Sequence, residues 1–248
     1  MRVHLQRDVE KLKRQILALS AEVENDVRTA VRAIEDRDED LARRVVARET
    51  QTNSMEVDVE EDCLKILALH QPVAADLRYI IAVLKINQDL ERIGDLSVHI
   101  AERGLFLCGH PPLNIPFRLG EMADKAQAML KTVLDAFVNT NAAAAREVCS
   151  EDREIDAINR DIFQQVQKAV AQSPSLFELL LQILHIARHL ERIADHATNI
   201  AEDLIYMVEG RIVRHTQEVS AEALRLPHAE PASHGSGSLI RPPRDAIE

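Results

Sequence analysis

Tryptophan is absent from the 248 residues, and two tyrosines, five phenylalanines and seven glycines are few beside the aliphatic and charged side chains. So few aromatics and turn-formers exclude the many short strands and tight turns of an all-β domain. A chain 46% hydrophobic and 29% charged has instead the composition of long helices. Positive charge is also short: 30 Lys and Arg face 41 Asp and Glu, a formal charge of −11. The resulting field repels phosphate backbones and argues against nucleic acid as a partner. Three cysteines, Cys63, Cys108 and Cys149, form no CxxC pair and cannot all pair with one another, which fits buried thiols in a reducing compartment. The longest apolar run, Tyr79 to Leu84, is far below the ~20 residues of a membrane span, and Met1 to Leu12 holds no signal-peptide core. The expectation is a soluble, cytoplasmic protein.

Helix breakers are missing over long stretches. No Gly or Pro occurs from 1 to 71, 121 to 173, or 175 to 209, so helices can run long there. Leu5, Val9, Leu12, Ile16, Leu19, Val23, Val27, Ala30 and Ile34 step by three and four along one helical face. This predicts a first helix ending near Asp36 to Asp38. A second runs to His70, where Gln71-Pro72 breaks it, and a third reaches about Leu107 before Gly109-His110-Pro111-Pro112. Further helices are predicted at roughly 117 to 139, 141 to 172 and 175 to 209. Residues 227 to 243 hold four Pro and two Gly, the composition of a disordered tail.

The chain repeats itself. Leu90-Glu91-Arg92-Ile93-Gly94-Asp95 and Leu190-Glu191-Arg192-Ile193-Ala194-Asp195 lie 100 residues apart, and eight of thirteen positions are identical between 90–102 and 190–202. Three helices have been duplicated. The fold class predicted is all-α, two tandem pseudo-symmetric three-helix bundles at 1–110 and 113–212, followed by a largely disordered tail at 213–248. Ile86, Leu90, Ile93 and Ile100, with their copies Ile186, Leu190, Ile193 and Ile200, give helices three and six a second apolar face. That face needs cover, so the bundles are expected to pack together, with helices one and four outside.

Glu91, Asp95 and Glu102 fall within about 40° of one azimuth at 100° per residue, and Leu77, Ile80 and Leu84 share it. The copy repeats the arrangement with Phe177, Leu180 and Leu184 leading into Glu191, Asp195 and Glu202. Folding helices two and three about Pro72 brings Glu49 level with Asp95 and Asn53 level with Glu91. Folding about Pro174 brings Asp152 level with Asp195 and Asp156 with Glu191. Acids at i, i+4 repel, and four at one height raise each other's pKa unless positive charge lies among them. Two sources are open: a salt-bridge network with Arg92, Arg188 and Arg192, or a cluster of hard cations, which oxygen-only ligands suit.

Through Cys63-Leu64-Lys65-Ile66, Gln71-Pro72, Asp76-Leu77-Arg78 and the two E-R-I-G/A-D segments, each followed by Ile-Ala-Glu, the chain resembles the PhoU family over about residues 4 to 212. The resemblance implies paired three-helix bundles whose E/DxxxD motifs bind multinuclear metal clusters of iron, zinc, manganese or magnesium. On this chain the motifs are Glu91/Asp95, Asp152/Asp156 and Glu191/Asp195, with Glu49/Asn53 as the fourth. Asn53 departs from the pattern, so the first-half site is expected to be weaker. The resemblance further implies a homodimer and a non-catalytic regulator of phosphate uptake and phosphate-starvation signalling. Such a regulator joins the ATPase subunit of a phosphate ABC transporter to a phosphate-sensing histidine kinase, and is peripheral to the membrane only through these partners.

Other readings remain. A metal-dependent hydrolase or oxidase would need a general base and an open coordination position. No E-x-x-H, HExxH, phosphate loop or G-x-S-x-G occurs. A purely structural six-helix scaffold would salt-bridge the acids. His185, His189 and His196 share one face of helix six, turned away from the acid stripe, and are expected to be solvated or at an interface.

Overall fold

The protein is described as a computed structural model over residues 2–113 and 117–213. The proposed tail beyond Val213, and the short stretch 114–116, lie outside the described residues. Six long helices are joined by turns: α1 (Arg2–Glu35), α2 (Glu39–His70), α3 (Ala74–Cys108), α4 (Leu119–Val138), α5 (Ala142–Gln172) and α6 (Phe177–Glu209). A single 3-10 turn, Pro174–Leu176, precedes α6. The fold is all-α, and among the described residues no helix is long and apolar enough to cross a membrane.

The two halves start their second helices in the same way. The turn after α1 passes through Arg37 at φ 52°, and Asp38 caps α2 by accepting from the amides of Asp40 and Leu41. The turn after α4 passes through Thr140 at φ 50°, and Asn141 caps α5 by accepting from Ala143 and Ala144. Short polar side chains at these positions satisfy amides that a helix start leaves open. The offset here is 103 residues, against 100 between the two E-R-I-G/A-D segments, so the first hairpin is three residues longer. Arg37 adds a feature its counterpart Thr140 cannot copy: its guanidinium donates to the carbonyls of Leu107, at 2.5 Å, and of His110, closing the end of α3.

Helices α1, α2 and α3 pack on one another, as do α4, α5 and α6, and the most extensive contact of all joins α3 to α6. Ile86, Leu90, Ile93, Ile100 and their four copies are all within 1% of full burial along that seam. Each such side chain contributes about 1.5–3 kcal/mol relative to exposure, so the halves are held by a core rather than by their connection. The expected position of helices one and four needs correction. Val31 and Ile34 of α1 meet Leu119 and Ala123 of α4, beside Ile100 and Leu190, because the crossing of α3 and α6 brings these neighbours together. The outermost helices are α2 and α5, which touch only their own bundle. At the far ends the shared azimuth does not ensure burial: Ile80 and Leu180 are fully buried, but Leu77 and Phe177 are exposed.

Candidate functional site

In the second half, Ile155, Ile158 and Ile162 bury one face of α5, and Leu190, Ile193, Ala194 and Ala197 fill the core side of α6. The acids fall on the seam between them. Burial, then Asp195 and Asp156, pushes the Asp152 carboxyl above its ordinary range. Glu191 is raised by burial and then by Asp195, against the pull of Arg188. Although Asp195 keeps an open side to solvent, loss of water around its carboxyl, and then Asp156, raises it too. These four carboxylates therefore share one electrostatic neighbourhood, at the height that folding about Pro174 predicts. Arg188 donates to Glu191 Oε1 at 2.6 Å, while Oε2 is buried with no hydrogen-bond partner.

The first half is built differently. Glu91 is raised by burial and then by Asp95, and lowered by Arg92. Arg92 lies across both acids, its Nε 3.2 Å from Glu91 and its Nη1 3.7 Å from Asp95. The α2 acid on which Glu91 acts is Glu56, raised by burial and then by Glu60 and Glu91. Asn87, fully buried, donates to the Glu56 carbonyl at 3.0 Å and to its Oε1 at 2.9 Å. Glu49 and Asn53 are exposed. Matching heights across the hairpin located the turn of α2 but not the azimuth. The spacing Glu49, Asn53, Glu56, Glu60 already marks a helical face that includes Glu56. Glu56, Lys85, Asp89, Glu91, Arg92 and Glu202 line an open groove of about 750 Å³ between the bundles.

Arg92 and Arg188 engage the acid pairs as a salt-bridge network requires, and among the described residues no three ligating side chains converge on a point as they stand. The donor chemistry of the second half nevertheless fits a hard cation: four carboxylates, one arginine in contact, and a buried carboxylate oxygen left unpartnered. The first half offers two motif acids under one arginine, with an exposed glutamate and amide opposite.

The helix-six histidines divide into two groups. His196 Nδ1 lies 2.8 Å from Asp89 Oδ1 across the α3–α6 seam, and Asn199 donates to the same oxygen at 3.3 Å. Its charge acts on Glu91 of one half and Asp195 of the other. His189 stacks on His99 with ring centroids 5.4 Å apart, and His185 meets His189 edge-on at 6.4 Å. Burial, followed by His99, His185, Arg103 and Arg192, lowers the His189 pKa to about 4. The cysteines are free. Burial pushes the thiols of Cys63 and Cys149 up to about 12, so both are packed groups and not nucleophiles.

Comparison with known proteins places these features. A family model described as PhoU domain matches twice, over residues 6–104 and 119–204. The phosphate-specific transport system accessory protein PhoU homolog of Pseudomonas aeruginosa is 37% identical over 210 residues, covering 84% of this chain and 86% of that protein. The Escherichia coli accessory protein PhoU is 33% identical over 210 residues, with the same coverage. The crystal structure of PhoU from Pseudomonas aeruginosa superposes with a TM-score of 0.80 at 35% identity, over 83% of this chain and 99% of that one. The phosphate transport system regulatory protein PhoU from Streptococcus pneumoniae gives 0.75 at 27%, over 84% and 99%.

Proposed function

The chain belongs to the PhoU family, and from that premise we propose that it is an accessory regulator of phosphate-specific transport that binds metal and acts as an adaptor in the cytoplasm. The observation carrying the accessory role is the family match across both bundles, with relatives named as accessory and regulatory proteins and not as enzymes. As an adaptor it joins the ATPase subunit of a phosphate ABC transporter to a phosphate-sensing histidine kinase, working as a homodimer and damping uptake when phosphate is plentiful. The acid seams support metal binding. Asp152, Asp156, Glu191 and Asp195 would hold the tighter cluster, and Glu49, Asn53, Glu91 and Asp95 the weaker. A bound cation supplies the positive charge that these seams lack. The chain's own contribution is to hold two carboxylate pairs level on facing helices in the second half, with Arg188 orienting Glu191, and one pair under Arg92 in the first.

Affinity purification from phosphate-replete and phosphate-starved cells tests the adaptor role. The transporter ATPase and the kinase should co-purify, and more strongly from replete cells. Absence of both under either condition would remove the adaptor reading. Elemental analysis of the same preparation should find iron, zinc, manganese or magnesium, and a metal-free protein that takes none up on dialysis would remove the metal reading alone.

A further inference from the structure

The pseudo-twofold axis between α3 and α6 relates each cross-seam pair to a second pair, obtained by adding 100 to one residue number and subtracting it from the other. At one end of the seam the charges are matched. Lys85 Nζ lies 3.2 Å from Asp203 Oδ1, and Asp89 accepts from His196 or its tautomer and from Asn199. At the other end the positions of Lys85 and Asp203 are taken by His185 and Arg103, and those of Asp89 and Asn199 by His189 and His99. Both carboxylates have been replaced by nitrogen bases, and no acid has moved in.

The structure records the consequence. Among the described residues Arg103 donates to Gln182 Oε1, at 3.5 Å, and Arg103 Nε and His189 Nδ1 are buried without a hydrogen-bond partner. His99 stacks on His189 and His185 meets it edge-on, so imidazoles gather around Arg103. His99, His185 and Arg192 are open to solvent above this floor. A buried guanidinium N–H without an acceptor is costly, and a guanidinium beside imidazoles, each able to donate one N–H, matches the donor geometry of an oxyanion.

We propose that this end of the α3–α6 seam binds a small tetrahedral oxyanion, of the phosphate or sulfate type, on Arg103 and His189 with His99 and His185 at its rim. The anion supplies the negative charge that the carboxylates of Asp89 and Asp203 supply at the opposite end. The site shares its stretch of α6 with Glu191, but the proposal does not rest on the metal content of the carboxylate seams.

Calorimetric titration of the full chain, kept in chelator so that no cation at the carboxylates can hold an anion, tests this with orthophosphate and sulfate as probes. Both should bind saturably at one site per chain. Arg103→Gln should weaken binding at least tenfold with the melting temperature nearly unchanged. Arg103→Asp, which recreates the charge matching of the other end, should abolish binding and keep the fold. His99→Ala, on the exposed rim, should weaken it severalfold and guards against a folding defect at Arg103. Lys85→Gln, at the matched end, should leave binding intact. No saturable binding up to about 10 mM of either probe, or binding that survives both Arg103 substitutions and His99→Ala, overturns the proposal.

Discussion

Asp26 and Thr52 sit buried inside the first bundle where the 103-residue offset puts Met129 and Ile155 in the second. One half carries a carboxylate in its core, and the other carries two apolar side chains with no exposure at all. Around Asp26, Thr52 Oγ1 donates at 3.4 Å and Arg48 approaches at 3.4 Å without hydrogen-bond alignment, engaged more closely with Glu22. The carboxylate seams show the reverse difference. The first half is diluted by Asn53 and covered by Arg92, while the second gathers four acids over one contacting arginine. Duplication thus kept the backbone and redistributed the charge: an acid in the core on one side, acids at the seam on the other. What survived in both copies is the packing of α3 on α6, whose line of isoleucine and leucine is apolar and buried in each.

Moving the core acid to the other half should break this comparison most severely. In the second bundle the counterpart of Arg48 is Glu151, so Met129→Asp would bury a carboxylate with no positive partner and an acid nearby. Such uncompensated charges cost about 3–5 kcal/mol. Urea unfolding should show either loss of a cooperative transition or a destabilisation of this size; a loss under 1 kcal/mol would mean that the second core already admits water.

The seams should differ next. Replacing Asp195 by Ala should lower bound metal at least tenfold more in affinity than Asp95→Ala, a difference of about 1.4 kcal/mol. In chelator the sign inverts. Burial and mutual repulsion raise Asp152, Glu191 and Asp195, so the folded state holds their protons more firmly than the unfolded chain does, and stability without metal falls as pH rises through their range. Asp152→Asn should therefore raise the melting temperature in chelator and lower it when divalent cation is added. The same shift in both conditions would contradict a cation at this seam.

Much of this architecture can be read from the residues. Long intervals without Gly or Pro, the duplicated E-R-I-G/A-D and the polar caps Asp38 and Asn141 determine six helices, two bundles and the α3–α6 seam, because each is a local or periodic property. The second-half site is legible for a further reason: Asp152, Asp156, Glu191 and Asp195 sit on seams flanked by isoleucines, so height and azimuth agree. The first-half site is less so. Thr52, not Asn53, turns inward, and Glu56 takes the place beside Glu91; spacing puts Glu56 on one face with Glu49 and Asn53, but which member of that face meets α3 is decided by how α2 packs. The meeting of α1 with α4, and the division of the histidines between two ends of one seam, depend on the crossing of two bundles, which no single helical pattern contains.

Removing the core charge of the first half should have a moderate effect of opposite sign. Burial raises the Asp26 carboxyl from 3.8 to about 6, with Thr52 opposing. An acid raised on folding destabilises the native state above its folded pKa and not below its unfolded one, so the penalty grows as pH rises from about 4 to 6. Asp26→Asn should stabilise the protein by about 1–2 kcal/mol at pH 7, and its advantage should vanish near pH 4. A uniform gain or loss across that window would show that Asp26 does not titrate there.

The smallest effect is expected at Gly94, where the second half carries fully buried Ala194. Both lie inside long helices, and alanine there is favoured over glycine by about 1 kcal/mol through reduced backbone entropy in the unfolded chain. What differs is the facing residue. A Cβ on residue 94 would come to 3.4 Å from Thr52 Cγ2, a close but ordinary contact, where the copy faces Ile155. Any shift of Thr52 away from that Cβ acts on its 3.4 Å hydrogen bond to Asp26, which lowers that acid's pKa. Gly94→Ala should therefore gain about 0.5 kcal/mol at pH 4, where Asp26 is protonated and indifferent to the bond, and gain less or nothing at pH 7. Chemical denaturation at the two pH values measures the difference. An equal gain at the two pH values would mean that Thr52 and Asp26 are uncoupled, and that the glycine in the first half answers to something other than the acid buried behind it.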